Sequence, residues 1–308
     1  MGVKIKLVDP EVELLEMDPV RKVETAYRIC YQSLDKMTDK SHTLIKKCLY
    51  PMEGQPHGTP LEHVYVELIV PKIVLQEVSY YIARSQFSYI GTQLCEDFDN
   101  PECYLYGNLR AFYTFWSDIY KDTLNWSVET IAVAHALNQA FAEKFPEIFN
   151  GPQTSGEPII VRPDSIRILI DQYAPTFRIV TTRDILQEFV RHRQMSFNVE
   201  STRYCNYKKK GFTFVRPKPY DWAENDNSEI FKMWMTSNQV ACENYLYLLE
   251  VESCKPEEAR MLLPGGLKTE FVVTAPEASW DHFCSLRCDS KAHPQIRYLA
   301  DQIKEHIG

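Results

Sequence analysis

The fourteen residues from Arg191 to Tyr204, RHRQMSFNVESTRY, gather side chains suited to gripping an anion. Arg191, His192, Arg193 and Arg203 are cationic or can become so, and Ser196, Ser201 and Thr202 add hydroxyls. The chain around them is acidic, with a formal net charge of −8. A positive cluster on such a background calls for a counter-charge, and the planar guanidinium fork is well shaped for phosphate oxygens. A helix C-terminus with cations set against its dipole accounts for one or two of these charges. It does not account for Arg203, which returns beside two hydroxyls. The segment therefore points to a bound anion.

Other candidates stand further along. Arg260 lies in EEARMLLP, one turn before a Gly-Gly pair, and Arg287 lies in FCSLRCDSKAHPQIR among apolar and small residues. Taken singly, each reads first as a surface or salt-bridge arginine. His63, in TPLEHVYVELIV, sits just before a strand and reads first as a hydrogen-bonded loop histidine. No Gly-x-Gly-x-x-Gly or Gly-x-x-x-x-Gly-Lys-Ser/Thr run is present, so neither a Rossmann nor a P-loop site is indicated. No Gly-x-Ser-x-Gly elbow occurs. The nine cysteines are unevenly spaced without a Cys-x-x-Cys pair, as reduced thiols are. Cys205 follows the cationic segment directly, where nearby cations could depress its thiol pKa. Cys284 and Cys288 are four apart but lack a second ligand pair, so no metal is expected.

The elements that must position these residues follow from pattern. VKIKLV at 3–8 alternates and predicts an edge strand. Helices are expected over 19–49, with a break near 38–41. A Gly/Pro-rich loop follows at 51–60, then a strand at 64–70 and a helix at 73–87. Residues 97–104 read as irregular, 109–124 and 128–145 as helical, and 150–158 as loop. A strand at 177–180 leads into a helix capped by Thr182, with Asp184 in its first turn and Ile185, Leu186, Phe189 and Val190 on one apolar stripe. Glu188 and Arg191 fall off that stripe, toward a polar face. Strands at 212–215 and 269–274 and helices at 229–252, from Pro256, at 279–286 and at 294–307 complete the reading. One short echo, Val74-Leu75-Gln76-Glu77 against Ile185-Leu186-Gln187-Glu188, is too brief to establish a repeat.

At 308 residues the chain can bury a sizeable core. A pI near 5.6 argues against a nucleic-acid polymer as partner, though single nucleotides need only a few local cations. No apolar run of signal-peptide or membrane-helix length is seen, so a cytoplasmic protein without membrane contact is expected.

The cationic segment also has a recognisable form. Arg191-His192-Arg193, seven residues, then Ser201 resembles the signature of the flavin-dependent thymidylate synthases. ETAYRICYQS (24–33), TPLEHVYVEL (59–68), EEARMLLPGGLKTEFVVT (257–274) and FCSLRCDSKAHPQIR (283–297) resemble further family pieces, in the family's order. The resemblance implies one α/β domain of α+β type over 1–308, a mixed or antiparallel sheet flanked by helices. A largely helical, family-atypical insertion occupies about 85–175. It implies reductive methylation of dUMP to dTMP, with FAD as cofactor, methylene-tetrahydrofolate and NADPH as co-substrates, and no cysteine nucleophile. His63, Arg191, His192 and Arg193 are then flavin residues. Glu188, Ser201, Arg203, Arg260 and Arg287 belong to the nucleotide, with Arg287 and Ser201 catalytic. A homotetramer with sites where subunits meet is implied as well.

Three departures stand out. The family's Asn-Glu-x-Ser is here Asn198-Val199-Glu200-Ser201, with the acid moved by one place. The family's flavin-contacting Asn-x-Arg before the closing helix falls on Pro276 and Ala278. Gly107-Asn108-Leu109-Arg110-Ala111 resembles that element, which makes Asn108 and Arg110 expected flavin contacts; a plain helix start capped by Asn108 is the simpler account. Lys291-Ala292-His293 does not keep the usual spacing after Arg287, so His293 is only loosely tied to flavin. Two other readings remain at this point. One is delivery of a hydroxymethyl group to a pyrimidine nucleotide by flavin and folate. The other is a nucleotide-binding homologue without catalysis.

Overall fold

The computed structural model describes residues 3–37, 57–71, 74, 76–77, 90–94, 102–121, 126–142, 145–146, 167–170 and 174–308. The loop at 150–158, the helical reading of 38–49 and most of the helix at 73–87 lie outside these residues. Among the described residues, the first part of the chain holds β1 (Ile5–Val8), β2 (Glu11–Leu14), α1 (Pro19–Cys30), β3 (Tyr65–Pro71), β4 (Ile90–Leu94) and β5 (Glu102–Asn108). Next come α2 (Leu109–Lys121), α3 (Val128–Ala142), β6 (Arg167–Ile170), β7 (Thr176–Thr182), α4 (Arg183–Phe189), β8 (Ser196–Val199) and β9 (Phe212–Val215). The chain closes with α5 (Glu229–Glu250), α6 (Pro256–Ala259), β10 (Lys268–Thr274), α7 (Glu277–Arg287) and α8 (Pro294–Ile307). The class is the expected mixture of helices and largely antiparallel sheets.

The chain divides into two compact units. Unit 1 comprises Met1–Glu16, Thr25–Met37 and Pro175–Gly308, and unit 2 comprises Met17–Glu24 and Thr38–Ala174.

Unit 1 is built on a four-stranded sheet of order β2-β7-β10-β8, antiparallel throughout. Alternation along β7 and β10 sends Phe177, Ile179, Phe271 and Val273 to one face. There they meet Ile185 and Phe189 of α4, Trp280 and Phe283 of α7, and Ile296, Leu299 and Ile303 of α8. Each large side chain buried here contributes roughly 1.5–3 kcal/mol. A second core joins Phe212 and Phe214 of β9 to Cys242 and Tyr245 of α5, with Ala259, Leu263 and Leu267. β9 pairs in parallel with β1, the expected edge strand.

Unit 2 carries a four-stranded antiparallel sheet of order β4-β5-β3-β6. Val66, Leu68, Val70 and Leu105 are buried, as are Leu109, Phe112, Phe115 and Trp116 of α2 and Val133, Leu137 and Phe141 of α3.

Where pattern and structure differ, the cause is short length or long-range pairing. The first helix stops at Cys30 rather than near 38, because Gln32 turns left-handed (φ 48°) and Ser33 donates back to the Arg28 carbonyl at 3.0 Å. Residues 102–104 are strand, not irregular, because β5 is paired on both edges. β2, β4, β6 and β8 carry too few residues to show a period. The strand read at 177–180 runs on to Thr182 because β10 pairs with it over the full length.

Candidate functional site

In unit 1, the helix predicted after Thr182 forms as expected: the Thr182 hydroxyl accepts from the Ile185 amide at 3.3 Å. Asp184 packs against Gly265, where any Cβ would collide with its carboxylate, so the Gly-Gly loop can approach α4 only without a side chain. The buried Phe189 anchors the far end of α4, stacked on Phe283 of α7 with ring centroids 5.1 Å apart. That anchor places Glu188 opposite Arg287, one turn beyond Phe283 on α7.

Arg287 is held on three sides. It donates to the Glu188 carboxylate at 2.8 Å, to the Glu188 carbonyl at 3.0 Å and to His192 Nε2 at 3.0 Å. A guanidinium has no lone pair to offer, so His192 must accept through an unprotonated Nε2. Burial, then Arg287 and His282, push the His192 pKa down to about 4. The imidazole also packs edge-on to Phe283 at 4.9 Å. Of the four charges expected in the segment, His192 is therefore neutral here at pH 7. Arg191 is exposed, 3.6 Å from Glu188, and Arg193 is exposed in the turn that follows.

The second half of the segment is arranged by the turn after β8. The Ser201 amide donates to the Cys30 carbonyl at 3.1 Å, and its hydroxyl accepts from the Arg203 amide at 3.3 Å. Arg203 is exposed and donates to Glu257 at 3.0 Å, on the short helix that immediately precedes Arg260. Ser201, Arg203 and Arg260 thus share one corner of unit 1, while Glu188, Arg191, His192 and Arg287 share another. Both arginines of the first corner are exposed.

Glu200, the displaced acid, is buried in an interior network. It accepts from Gln32 at 2.6 Å, from the Tyr207 hydroxyl at 3.0 Å and from Lys268 at 2.9 Å. Lys268 also bonds Glu270, which in turn accepts from Arg178 at 2.6 Å. Burial alone would lower the Lys268 pKa, but the two carboxylates outweigh it and raise it. Burial alone would raise that of Glu270, but Lys268 and Arg178 hold it low. A cavity of about 260 Å³ adjoins this network, lined by Gln32, Glu200, Tyr207, Lys210 and Lys268 among others. Pattern reasoning missed Gln32, Tyr207, Lys268 and His282, because nothing local marks them.

Cys205 departs from expectation: burial, with Glu200 nearby, pushes its thiol up to about 12, so it is protonated rather than activated. Burial raises Cys30 to about 11 and Cys242 and Cys288 to about 12. Among the described residues no cluster suited to a metal is found. His293 caps α8, its Nδ1 accepting from the Gln295 amide at 3.3 Å.

In unit 2, Asn108 ends β5 and caps α2, its side-chain oxygen accepting from the Ala111 amide at 3.0 Å. Arg110 pairs with Glu62 at 2.5 Å, and Glu62 stands beside the buried His63 on a single 3-10 turn. The cap is thus present, and Arg110 and His63 lie on adjoining pieces of backbone, joined where the Leu109 amide donates to the Val64 carbonyl at 2.8 Å.

Residues 169–308 match the model of the family described as thymidylate synthase complementing protein. The match covers the C-terminal part of the chain. The matched span holds Glu188, Arg191, His192, Arg193, Ser201, Arg203, Arg260 and Arg287; His63, Asn108 and Arg110 precede it. The chain is 31% identical over 119 residues to a flavin-dependent thymidylate synthase of Geobacter sulfurreducens, covering 39% of this chain and 49% of that protein. It is 33% identical over 132 residues to the enzyme of that name from Pyrobaculum aerophilum, covering 42% and 48%. It is 30% identical over 157 residues to the one from Aquifex aeolicus, covering 47% and 49%. The chain spans about half the length of these curated relatives. A crystal structure of thymidylate synthase X from Helicobacter pylori with FAD and dUMP overlaps 96% of this chain and 92% of that one, at 17% identity and a TM-score of 0.37, too loosely for anything to rest on it.

Proposed function

We propose that the chain converts dUMP to dTMP by flavin-dependent reductive methylation, with methylene-tetrahydrofolate as carbon donor and NADPH as reductant. The observation that carries this is the Glu188–His192–Arg287 assembly, held rigid at the end of α4 inside the span that matches the family. Arg191, His192 and Arg193 in unit 1, and His63, Asn108 and Arg110 in unit 2, are the residues assigned to FAD. The exposed guanidinium groups of Arg191 and Arg193 fit a cofactor that is anionic when reduced. Bound FAD would supply the reducing electrons. Neutral His192 can donate a hydrogen bond from Nδ1 without adding charge.

Ser201, Arg203 and Arg260 are assigned to the nucleotide phosphate. The Ser201 hydroxyl accepts from the Arg203 amide, which leaves its proton to donate to a phosphate oxygen. Charge-assisted bonds of roughly 1.5–3 kcal/mol each would supply much of the ~8 kcal/mol of a micromolar complex. Arg287, oriented by Glu188, is assigned to the pyrimidine, where it stabilises negative charge developing on the ring. The protonated thiols of Cys30, Cys205, Cys242 and Cys288 agree with a route that uses no cysteine nucleophile. A homotetramer in the cytoplasm belongs to this proposal on the family resemblance.

The test is an absorbance spectrum of the purified chain with FAD, followed by anaerobic NADPH with and without dUMP. Bleaching of bound flavin, and dTMP once methylene-tetrahydrofolate is added, is the expected result. A chain that retains no flavin, or one whose product has the mass of a hydroxymethylated nucleotide, overturns it.

A further inference from the structure

The two sheets repeat one another. A simple meander sets consecutive strands side by side. Both sheets instead set the last of three strands between the other two, β5 between β4 and β3 in β4-β5-β3-β6 of unit 2, and β10 between β8 and β7 in β8-β10-β7-β2 of unit 1. The registers agree as well. β3 pairs with β5 from Tyr65 opposite Asn108 to Pro71 opposite Glu102. β7 pairs with β10 from Thr176 opposite Thr274 to Thr182 opposite Lys268, over the same seven positions. One shift along the chain carries Tyr65–Pro71 onto Thr176–Thr182, and the same shift carries Val74-Leu75-Gln76-Glu77 onto Ile185-Leu186-Gln187-Glu188. It also carries the outer pairs Val66–Ile170 and Ile69–Arg167 onto Phe177–Leu14 and Val180–Glu11. In each unit a helix follows the interior strand, α2 after β5 and α7 after β10. Even the outer strands are exchanged in chain order. β2, which comes before β3 in the chain, pairs in the sheet of β7, and β6, which comes before β7, pairs in the sheet of β3.

The copies differ in complementary ways. Counted from the helix start, the cap Asn108 and the following Arg110 of α2 match Pro276 and Ala278 of α7, whereas the strand register sets Asn108 against Thr274, two residues earlier. The shift sets Tyr80, Tyr81 and Ile82 against Arg191, His192 and Arg193. We propose that units 1 and 2 are two copies of one fold that have divided a single set of flavin-binding residues, unit 1 keeping the cationic run after α4 and unit 2 keeping the Asn-x-Arg helix start. This rests on the flavin reading above. The described strands and helices between 90 and 170 then belong to the first copy rather than to an insertion, and Asn108 and Arg110 stand at the start of the helix that follows its interior strand.

FAD titrated into the full chain by fluorescence quenching tests this. The division predicts one FAD per chain, with affinity lowered at least tenfold by Arg193→Ala and also by Arg110→Ala. Because Arg110→Ala strands the Glu62 carboxylate, Glu62→Gln/Arg110→Gln is measured beside it and is expected to weaken FAD equally while melting as the wild type does. Two FAD per chain, with each variant removing one and sparing the other, overturns the division. So does an Arg110 variant that binds as tightly as the wild type. A wild-type chain that binds no FAD removes the flavin reading, and this inference with it.

Discussion

Unit 1 holds two kinds of charge. Around Glu200, Lys268, Glu270 and Arg178, opposite charges alternate in the interior, each with a partner within 3 Å. At the rim, Arg191 and Arg203 also face glutamates, but 68% and 56% of their side chains are exposed. The inner network is largely withdrawn from water, its side chains 1–21% exposed, and depends on its partners. The rim pairs compete with solvent, contribute little to stability, and can exchange a glutamate for a ligand's phosphate. Arg287 combines the two, being largely buried and fully oriented by a backbone and side chain of α4, yet placed at a helix end. On the proposed function, interior charges set geometry and rim charges meet the ligand.

The largest effect is expected inside. Lys268→Ala leaves the buried Glu200 and the largely buried Glu270 without their shared cation and should cost about 3–5 kcal/mol in urea unfolding. Pairing Lys268→Met with Glu200→Gln should recover most of the loss. A single variant as stable as the wild type would break the contrast between interior and rim.

Arg287→Ala comes next. Turnover should fall about 10²–10³-fold if its guanidinium meets charge developing on the substrate. A change confined to KM would instead make Arg287 a binding group. Arg203→Ala should leave the urea unfolding midpoint where the wild type has it. It should weaken dUMP about tenfold by calorimetry, losing one charge-assisted bond. An equal loss of stability in both arginine variants would erase the distinction between them.

The smallest effect is in pH. His192 sits at about 4 when folded against about 6.5 unfolded, so the unfolded chain binds the extra proton first. Stability from this group is complete above pH 6.5 and drains away as pH falls toward 4. Glu270, held low by Lys268 and Arg178, adds a second loss below its unfolded value of about 4.3. Urea midpoints at pH 7, 5.5 and 4 should show the first step in the wild type and lack it in His192→Gln. NMR titration of His192 in Arg287→Ala should show its pKa moving back up.

Much of this was legible in the chain. The cationic run, its serine, the Thr182 cap, the helix from Pro256 and the strand ending at Thr274 are local features, and each appears close to where pattern placed it. The apolar stripe of α4 also told in advance that Glu188 would lie off the core face, although Val190, read on that stripe, is exposed past the helix end. The neutrality of His192 was not legible, because Arg287, the group that requires it, lies 95 positions away in the chain. Nor was the fate of Glu200, whose partner Gln32 is 168 positions away, or the protonated state of Cys205, whose burial overrides the cations beside it in sequence.

The sequence by itself determined which side chains were available, where the helices after Thr182 and from Pro256 start, and that cations gather near Arg191. Those follow from spacing, capping and composition over a few residues. The tertiary structure alone decided which glutamate holds Arg287, which charges are dry, and that two sheets share one order and one register. Such facts come from strands and helices brought together across long loops, and no local period records a pairing between residues a hundred positions apart.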